Sequence, residues 1–380
     1  MPSLRHKTIL LISPQAWGSM FLSKHHYAIE LARRGNKVYF LTPLDELKES
    51  KSRKIIIQES GVENLLFIES KLFFPFQIKF HTVRLFNLLM KIQLKRILKK
   101  INHPIDIVWS FDLGNFFPFT FFDNTSFKIF HPVDEPLNKA AIESSKGADI
   151  IFSVTNEILN KYNDHDIPKY FINHGVSNRF LSDVVPQSET EHPIHVGFAG
   201  NLLRKDIDRE ILLTIIKENP TVIFEFWGSY EQSNISGSPD KESKNFITAL
   251  QQFKNVMMHG IIPTGQLAKA FCNVDVFLIC YDIQKDQSHG TNYHKILEYL
   301  GTGKVIVSNN VTAYHNYPNL IAMTEERAHN RSLPSLFKRV INDLSYHNSQ
   351  KFQEERKVFA NDNTYERQLN RIDTLIGKLA

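Results

Sequence analysis

The stretch from Leu181 to Ala199, LSDVVPQSETEHPIHVGFA, decides how this chain is divided. Its first part, LSDVVPQSETEHP, loses hydrophobic periodicity and gathers Ser, Pro and acidic side chains, as a linker does. Its second part, Ile194–Ala199, is a short apolar run that reads as a buried strand. Further strand signals follow at Val222–Trp227 (VIFEFW), Val256–His259 (VMMH), Asp275–Cys280 (DVFLIC) and Val305–Ser308 (VIVS), with helical patterns between them. The same rhythm precedes the linker. Strands are expected at Lys7–Ser13, Lys37–Thr42, Asp106–Ser110, Phe127–His131, Asp149–Val154 and Tyr170–Asn173, and a helix at Ser23–Arg34 capped by Gly35. Alternating strands and helices imply parallel sheets with crossover helices. Two doubly wound, Rossmann-like α/β domains are therefore expected, at 1–180 and 194–360, joined by a linker at 181–193. Residues 361–380 (NDNTYERQLNRIDTLIGKLA) read as a helix that either caps the second domain or crosses back to the first.

Composition narrows the function. At 380 residues, with 42% hydrophobic and 22% charged side chains, the chain is globular rather than disordered or fibrous. Two cysteines make no disulfide framework and no Cys/His cluster has zinc spacing, which favours a reducing, cytoplasmic setting. No apolar run reaches the roughly 18–20 residues that span a bilayer. The N-terminal MPSLRHKTILLIS has too short an apolar run, and no small-residue cleavage site, for a signal peptide. A net charge of +5 is too small to argue for nucleic acid. The 29 phenylalanines are the unusual feature.

Four stretches carry candidate chemistry. In GNLLRKDIDRE a strand ends at Gly200, and Arg204 and Lys205 precede a helix whose first turn is expected to hold Asp206 and Asp208. Glycine lets a ligand approach the backbone, and the two cations suit phosphate oxygens. In SHGTNYHKILEYLGTGK a polar loop with Gly290 and Thr291 leads into a helix starting near Asn292, a ready anion site. Lys295 and Glu298 share a face there, to hold a phosphate and vicinal hydroxyls, or simply to pair with each other. In HPVDEP, Asp134 and Glu135 stand after a strand of the first domain, where either is a candidate general base or a helix cap. The loop Ser13–Met20 has no GxGxxG, which counts against a dinucleotide oxidoreductase. Of the adjacent His25 and His26 that follow it, at most one is expected in a site, since neighbours on a helix diverge by about 100°.

Taken together, GFAGNLLRKD, VIFEFWGS, NVMMHGIIP, VDVFLICY and YHKILEYLGTGK resemble the GT-B nucleotide-sugar glycosyltransferases, particularly the bacterial enzymes of polysaccharide and cell-envelope glycan synthesis. The resemblance implies two Rossmann-like domains facing a central cleft, with C-terminal helices. It implies a nucleotide-sugar donor, UDP-linked by preference, on the second domain and a glycan or lipid-linked acceptor on the first. Arg204 and Lys295 would meet the pyrophosphate, Glu298 the ribose, and the backbone at Gly260 and Ile261 the base; no metal or other cofactor is implied. Retaining members carry a second glutamate eight positions before the one matching Glu298, and here that position is Gly290. The inverting glucuronosyltransferase of xanthan synthesis is more similar in this respect. It implies Asp134 in FHPVDEP as base, with Glu135 as substitute, and His174-Gly175-Val176 as the segment entering the cleft. Trp17, Gly18, His25 and His174 would form the acceptor side.

The charge is unevenly spread. Lys79–Ile101 carries Arg84, Lys91, Lys95 and Lys99 among its cations and no acid, with Val83, Phe86, Met90, Leu94, Ile97 and Ile101 at helical spacing. Such a helix can lie on the anionic inner face of a cytoplasmic membrane, at roughly 1 kcal/mol per basic residue, or pack on a sheet with its lysines solvated. Leu72–Phe76 and Asn115–Phe122 are candidate lipid or acceptor surfaces beside it. A peripheral membrane enzyme is thus expected. The competing expectations are a nucleotide-sugar epimerase of the same fold and a non-catalytic glycan- or nucleotide-binding protein.

Overall fold

Thr8–Ile12 (TILLI) is almost wholly buried and forms the centre of the first sheet, β1. The other strands of this sheet are β2 (Lys37–Leu44), β3 (Ile55–Glu59), β4 (Leu65–Ser70), β5 (Ile107–Ser110), β6 (Phe127–Phe130), β7 (Ile150–Ser153) and β8 (Lys169–Phe171). They are ordered β3-β4-β2-β1-β5-β6-β7-β8, all parallel apart from the antiparallel β3–β4 pair. Every residue of β5 and β7 is buried, as befits parallel strands covered on both faces. The computed structural model describes residues 3–18, 21–44, 54–181, 193–231, 240–286 and 290–379.

The second sheet contains β9 (His195–Ala199), β10 (Ile223–Trp227), β11 (Val256–Gly260), β12 (Val276–Ile279), β13 (Val305–Ser308) and β14 (Ala322–Met323). Their order, β11-β10-β9-β12-β13-β14, is fully parallel and has the Rossmann connectivity, reversing direction at β9. The first sheet reverses in the same way at β1. Ligands of such sheets bind beyond the carboxyl ends of the strands at that reversal.

The chain forms two units, residues 1–174 with 365–380, and residues 175–364. These divisions fall at His174/Gly175 and Thr364/Tyr365, whereas 180/181 and 360/361 are expected from sequence. Most of the expected linker, residues 182–192, lies outside the described residues. The helix Tyr365–Gly377 belongs to the first unit: Leu369, Ile372 and Ile376 are fully buried among Ile9, Leu11 and Leu31, and Asp373 accepts the Leu4 amide at 2.8 Å.

From sequence no strand is expected between Thr42 and Asp106, yet β3 and β4 lie there. They form an edge hairpin turning through Gly61 and Asn64, both at positive φ, and β3 is only half-buried, so its apolar signal is weak. The phenylalanine-rich stretches also differ from expectation. Phe74, Phe117, Phe119 and Phe122 are core residues under the Val83–Ile101 helix, and among the described phenylalanines Phe80 and Phe171 are the exposed ones. Val83, expected on the buried stripe, is 60% exposed at the helix start.

Candidate active site

In the second unit the carboxyl end of β9 runs into Gly200, whose amide donates to Trp227 O at 2.8 Å. Gly228, at the end of β10, has φ +135°, and a Cβ there would meet Gly200 O at 1.8 Å. Only glycine allows these two strand ends to approach so closely. The Gly-Ser that follows the strand was a usable sequence signal for it.

Asp206 and Asp208 lie before the next helix rather than in its first turn, because that helix spans Arg209–Glu218. Asp208 is its cap, accepting from Ile211 N. Asp206 takes the guanidinium of Arg204 from two nitrogens, Nε at 2.8 Å and Nη2. The same guanidinium lies 5.2 Å over the ring of Tyr281, at the carboxyl end of β12. Arg204 is thereby oriented at the sheet's reversal point. Lys205 points elsewhere, 82% exposed and 3.6 Å from Asp240.

Tyr281 also connects the two stretches expected to meet the donor. Its ring centroid is 4.8 Å from that of Tyr293, two residues before Lys295, and its hydroxyl is the nearest atom to a Cβ placed on Gly200, at 3.3 Å. The expected start of the helix near Asn292 is corrected to Lys295, and the helix is a short one, Lys295–Leu300. Lys295 Nζ donates to Glu298 Oε2 at 2.8 Å, so the two candidates pair with each other along one face. Gly290 and Thr291 are buried, Thr291 N donating to Thr312 Oγ1 at 2.8 Å; Gln287 to His289 lie outside the described residues. Gly260 has φ +70° and its carbonyl accepts from Gly228 N at 2.8 Å, while the next residue, Ile261, is 67% exposed.

In the first unit the β6–helix loop separates two adjacent carboxylates. Glu135 Oε1 lies 3.2 Å from Lys161 Nζ, with the glutamate side chain only 7% exposed. Asp134 is exposed. Neither caps the following helix, since Asn138 does so by accepting from Ala141 N.

On the Ser23–Arg33 helix Lys24 is 1% exposed, its Nζ bonded to Gln15 Oε1. Burial lowers its pKa to about 8, and the Asp134 carboxylate works in the opposite direction. Its burial was not legible in the sequence, because a lysine in a helix is expected in water.

The expected acceptor-side residues are not alike. His25 is fully buried, stacked against Phe21 and Phe40; Nδ1 accepts from Leu22 N at 3.1 Å and Nε2 bonds Ala16 O at 2.8 Å. Both ring nitrogens thus hold the helix start, and burial lowers the pKa to about 4. Trp17 packs beside it, 5.0 Å from Phe40, whereas Gly18 is exposed with open space around it. His174 is 9% exposed and its carbonyl accepts from Gln368 Nε2 at 3.1 Å. His131, not singled out from sequence, is buried between aromatic rings, its Nδ1 without a hydrogen-bond partner, and burial lowers its pKa to about 3.

No protein-family model matches the sequence, and no curated protein matches it. Solved structures do match. A sucrose-phosphate synthase of Thermosynechococcus elongatus aligns over 98% of this chain and 99% of its own, with TM-score 0.70 and 13% identity. Anabaena HepE in complex with UDP and glucose aligns over 98% and 99%, with TM-score 0.64 and 14% identity. The lipopolysaccharide outer core galactosyltransferase WaaB aligns over 98% and 100%, with TM-score 0.65 and 12% identity. The fold is that of the GT-B glycosyltransferases: two Rossmann-like parallel-sheet units with C-terminal helices. Among the described residues no group of three His, Cys, Asp or Glu is placed to hold a metal ion, and no helix is long and apolar enough to cross a membrane.

Proposed function

We propose that the protein is a glycosyltransferase that moves a sugar from a nucleotide diphosphate to a hydroxyl of a glycan or lipid-linked acceptor, with inversion. The observation that carries this reading is the donor half-site at the reversal point of the second sheet. There, Arg204 is held by Asp206 over Tyr281, and Tyr281 meets the segment bearing Lys295 and Glu298. UDP is the preferred nucleotide, supported by the UDP and UDP-glucose complexes of HepE, which shares the fold. Arg204 and Lys295 offset charge on the departing diphosphate, and Glu298 accepts from ribose hydroxyls.

Asp134 is the proposed base, because it is exposed while Glu135 is engaged by Lys161. It removes the proton of the acceptor hydroxyl as that oxygen bonds to the anomeric carbon and the bond to the diphosphate breaks. The step routes through no metal.

The same reading includes contact with an anionic membrane surface. On the Val83–Ile101 helix the core takes Phe86, Met90, Leu94, Ile97 and Ile101. The opposite face exposes Arg84, Lys91, Lys95 and Lys99 together with Leu88 at 57% and Ile92 at 40% exposure, and Phe80 just before it at 74%. Cations interleaved with exposed apolar side chains, free of acids, complement phospholipid headgroups and the acyl boundary beneath them.

The test is nucleotide release from a panel of UDP-, GDP- and dTDP-sugars, with and without a bacterial lipid extract. Release that depends on the extract is expected. Isomerised donor without acceptor would identify an epimerase, and binding with no turnover a non-catalytic protein.

A further inference from the structure

Tyr281, whose ring lies under the Arg204 guanidinium, stands two residues past the end of β12, where the parallel ladder has stopped. It is bridged antiparallel to Ile207 instead, on the segment that carries Arg204 and Asp206. In that bridge the flanking residues make the backbone bonds: Asp208 N donates to Cys280 O at 3.0 Å, and Asp282 N to Asp206 O at 2.7 Å. The amide and carbonyl of Tyr281 itself therefore point away from Ile207. Two asparagine side chains take them. Asn309, the residue after β13, accepts the Tyr281 amide through Oδ1 at 2.9 Å. Asn330, between β14 and the Leu333–Asn342 helix, donates Nδ2 to the Tyr281 carbonyl at 2.9 Å and to Asp208 Oδ2 at 2.9 Å.

Neither is a surface asparagine. Asn309 is fully buried and Asn330 is 4% exposed, so their polar atoms are satisfied within the protein. Chemistry fixes how each amide is turned, since a carbonyl and a carboxylate accept while a backbone N–H donates. Asn309 is itself anchored, its amide donating to Ile279 O in β12 at 3.2 Å.

We infer that Asn309 and Asn330 are positioning residues for the donor diphosphate: gripping Tyr281 by both of its backbone polar groups, they fix the ring that orients Arg204. They act through Tyr281 and not on the donor. This rests on the reading of Arg204 as a diphosphate ligand. Asp206 holds the guanidinium by two of its nitrogens and Tyr281 meets its carbon across the ring, so the cation keeps its direction while both stay in place. Asp206 is tied to the bridge through its own carbonyl, and Tyr281 is tied to the ends of β13 and β14 through the asparagines.

The test is calorimetric titration of the full chain with UDP, each variant being checked for folding by circular dichroism. Asn309→Ala and Asn330→Ala each remove one side of the grip and are expected to weaken UDP binding about 3- to 10-fold, the range set by one hydrogen bond. Tyr281→Leu, which keeps both backbone bonds and removes the ring, is expected to do the same. Coupling to Arg204 separates positioning from general loosening. Added to Arg204→Ala, any of the three changes is expected to cost less than about twofold more, because the group being positioned is gone. Wild-type affinity in either asparagine variant or in Tyr281→Leu, or a full further loss on top of Arg204→Ala, would overturn the positioning role. Should Asn330→Ala fail to fold, Asn309→Ala leaves the Asp208 contact intact and decides by the same cycle. Unchanged UDP affinity in Arg204→Ala would instead overturn the reading of the half-site, and the inference with it.

Discussion

The Oε1 of Glu135 lies 3.2 Å from Lys161 Nζ, an ion pair that fixes the loop in which the next residue back, Asp134, remains exposed. Two neighbouring carboxylates therefore stand in different environments. Asp134→Asn is expected to lower kcat for sugar transfer by 10²-fold or more, the order associated with loss of a general base, with its melting temperature preserved. Glu135→Gln is expected to do the reverse. Removing a partner from a largely buried pair costs about 1–3 kcal/mol, read in urea unfolding, while transfer per folded molecule persists. Full transfer by Asp134→Asn would exclude it as base.

On the donor side, Arg204→Ala and Lys295→Ala are expected to weaken UDP binding by about 10- to 100-fold each, since a charge-assisted contact is worth about 1.5–3 kcal/mol. Asp206→Asn is expected to weaken it less, because it loosens Arg204 without removing it. Calorimetric titration with UDP distinguishes the three.

Gly228→Ala places a methyl 1.8 Å from Gly200 O at a φ of +135°. The strand ends must separate to admit it. A stability loss of about 3 kcal/mol is expected, with donor affinity falling as well. Gly18→Ala, where a Cβ meets nothing within 4 Å, is the control and is expected to change neither.

His25 and His131 are kept neutral in the folded chain, with pKa values lowered from 6.5 to about 4 and about 3, chiefly by burial. A histidine with a depressed folded-state pKa stabilises fully above its unfolded value, and that stability declines as pH falls toward the folded value. Stability is therefore expected to drop from about pH 6.5 toward pH 4, by on the order of 3 kcal/mol for one such site. His131 Nδ1 has no hydrogen-bond partner to lose, and the ring stacks 4.9 Å from Phe111. His131→Phe should accordingly flatten the acid limb of the melting curve against pH. An unchanged limb would show that other groups govern it.

The helix that carries Arg84, Lys91, Lys95 and Lys99 is expected to sediment with vesicles rich in phosphatidylglycerol and not with neutral ones, more weakly as salt rises. Replacing Lys91, Lys95 and Lys99 with Glu should abolish this without loss of folding, as all three are exposed. Leu88→Ser together with Ile92→Ser should weaken it further than charge screening does. Co-sedimentation that ignores both sets would remove the membrane surface.

The hydrophobic period alone determined that β5, β7, β12 and β13 are buried strands in parallel sheets, because a strand covered on both faces must be apolar throughout. It likewise located the strand ends just before Gly200 and at His131 to within a residue, where the candidate site residues begin. Tertiary structure decided what period cannot carry. The edge hairpin β3–β4 is half-exposed, so its pattern is diluted, and the helix after Tyr365 was assigned to the first unit by long-range packing on residues such as Ile9 and Leu31. The phenylalanines of 72–76 and 115–122 resemble a surface in sequence, yet they mostly fill the core beneath one helix. Between Asp134 and Glu135, a partner 26 positions away made the distinction. Lys24, an ordinary lysine by composition, is a buried cation for the same reason: burial depends on neighbours that only folding brings together.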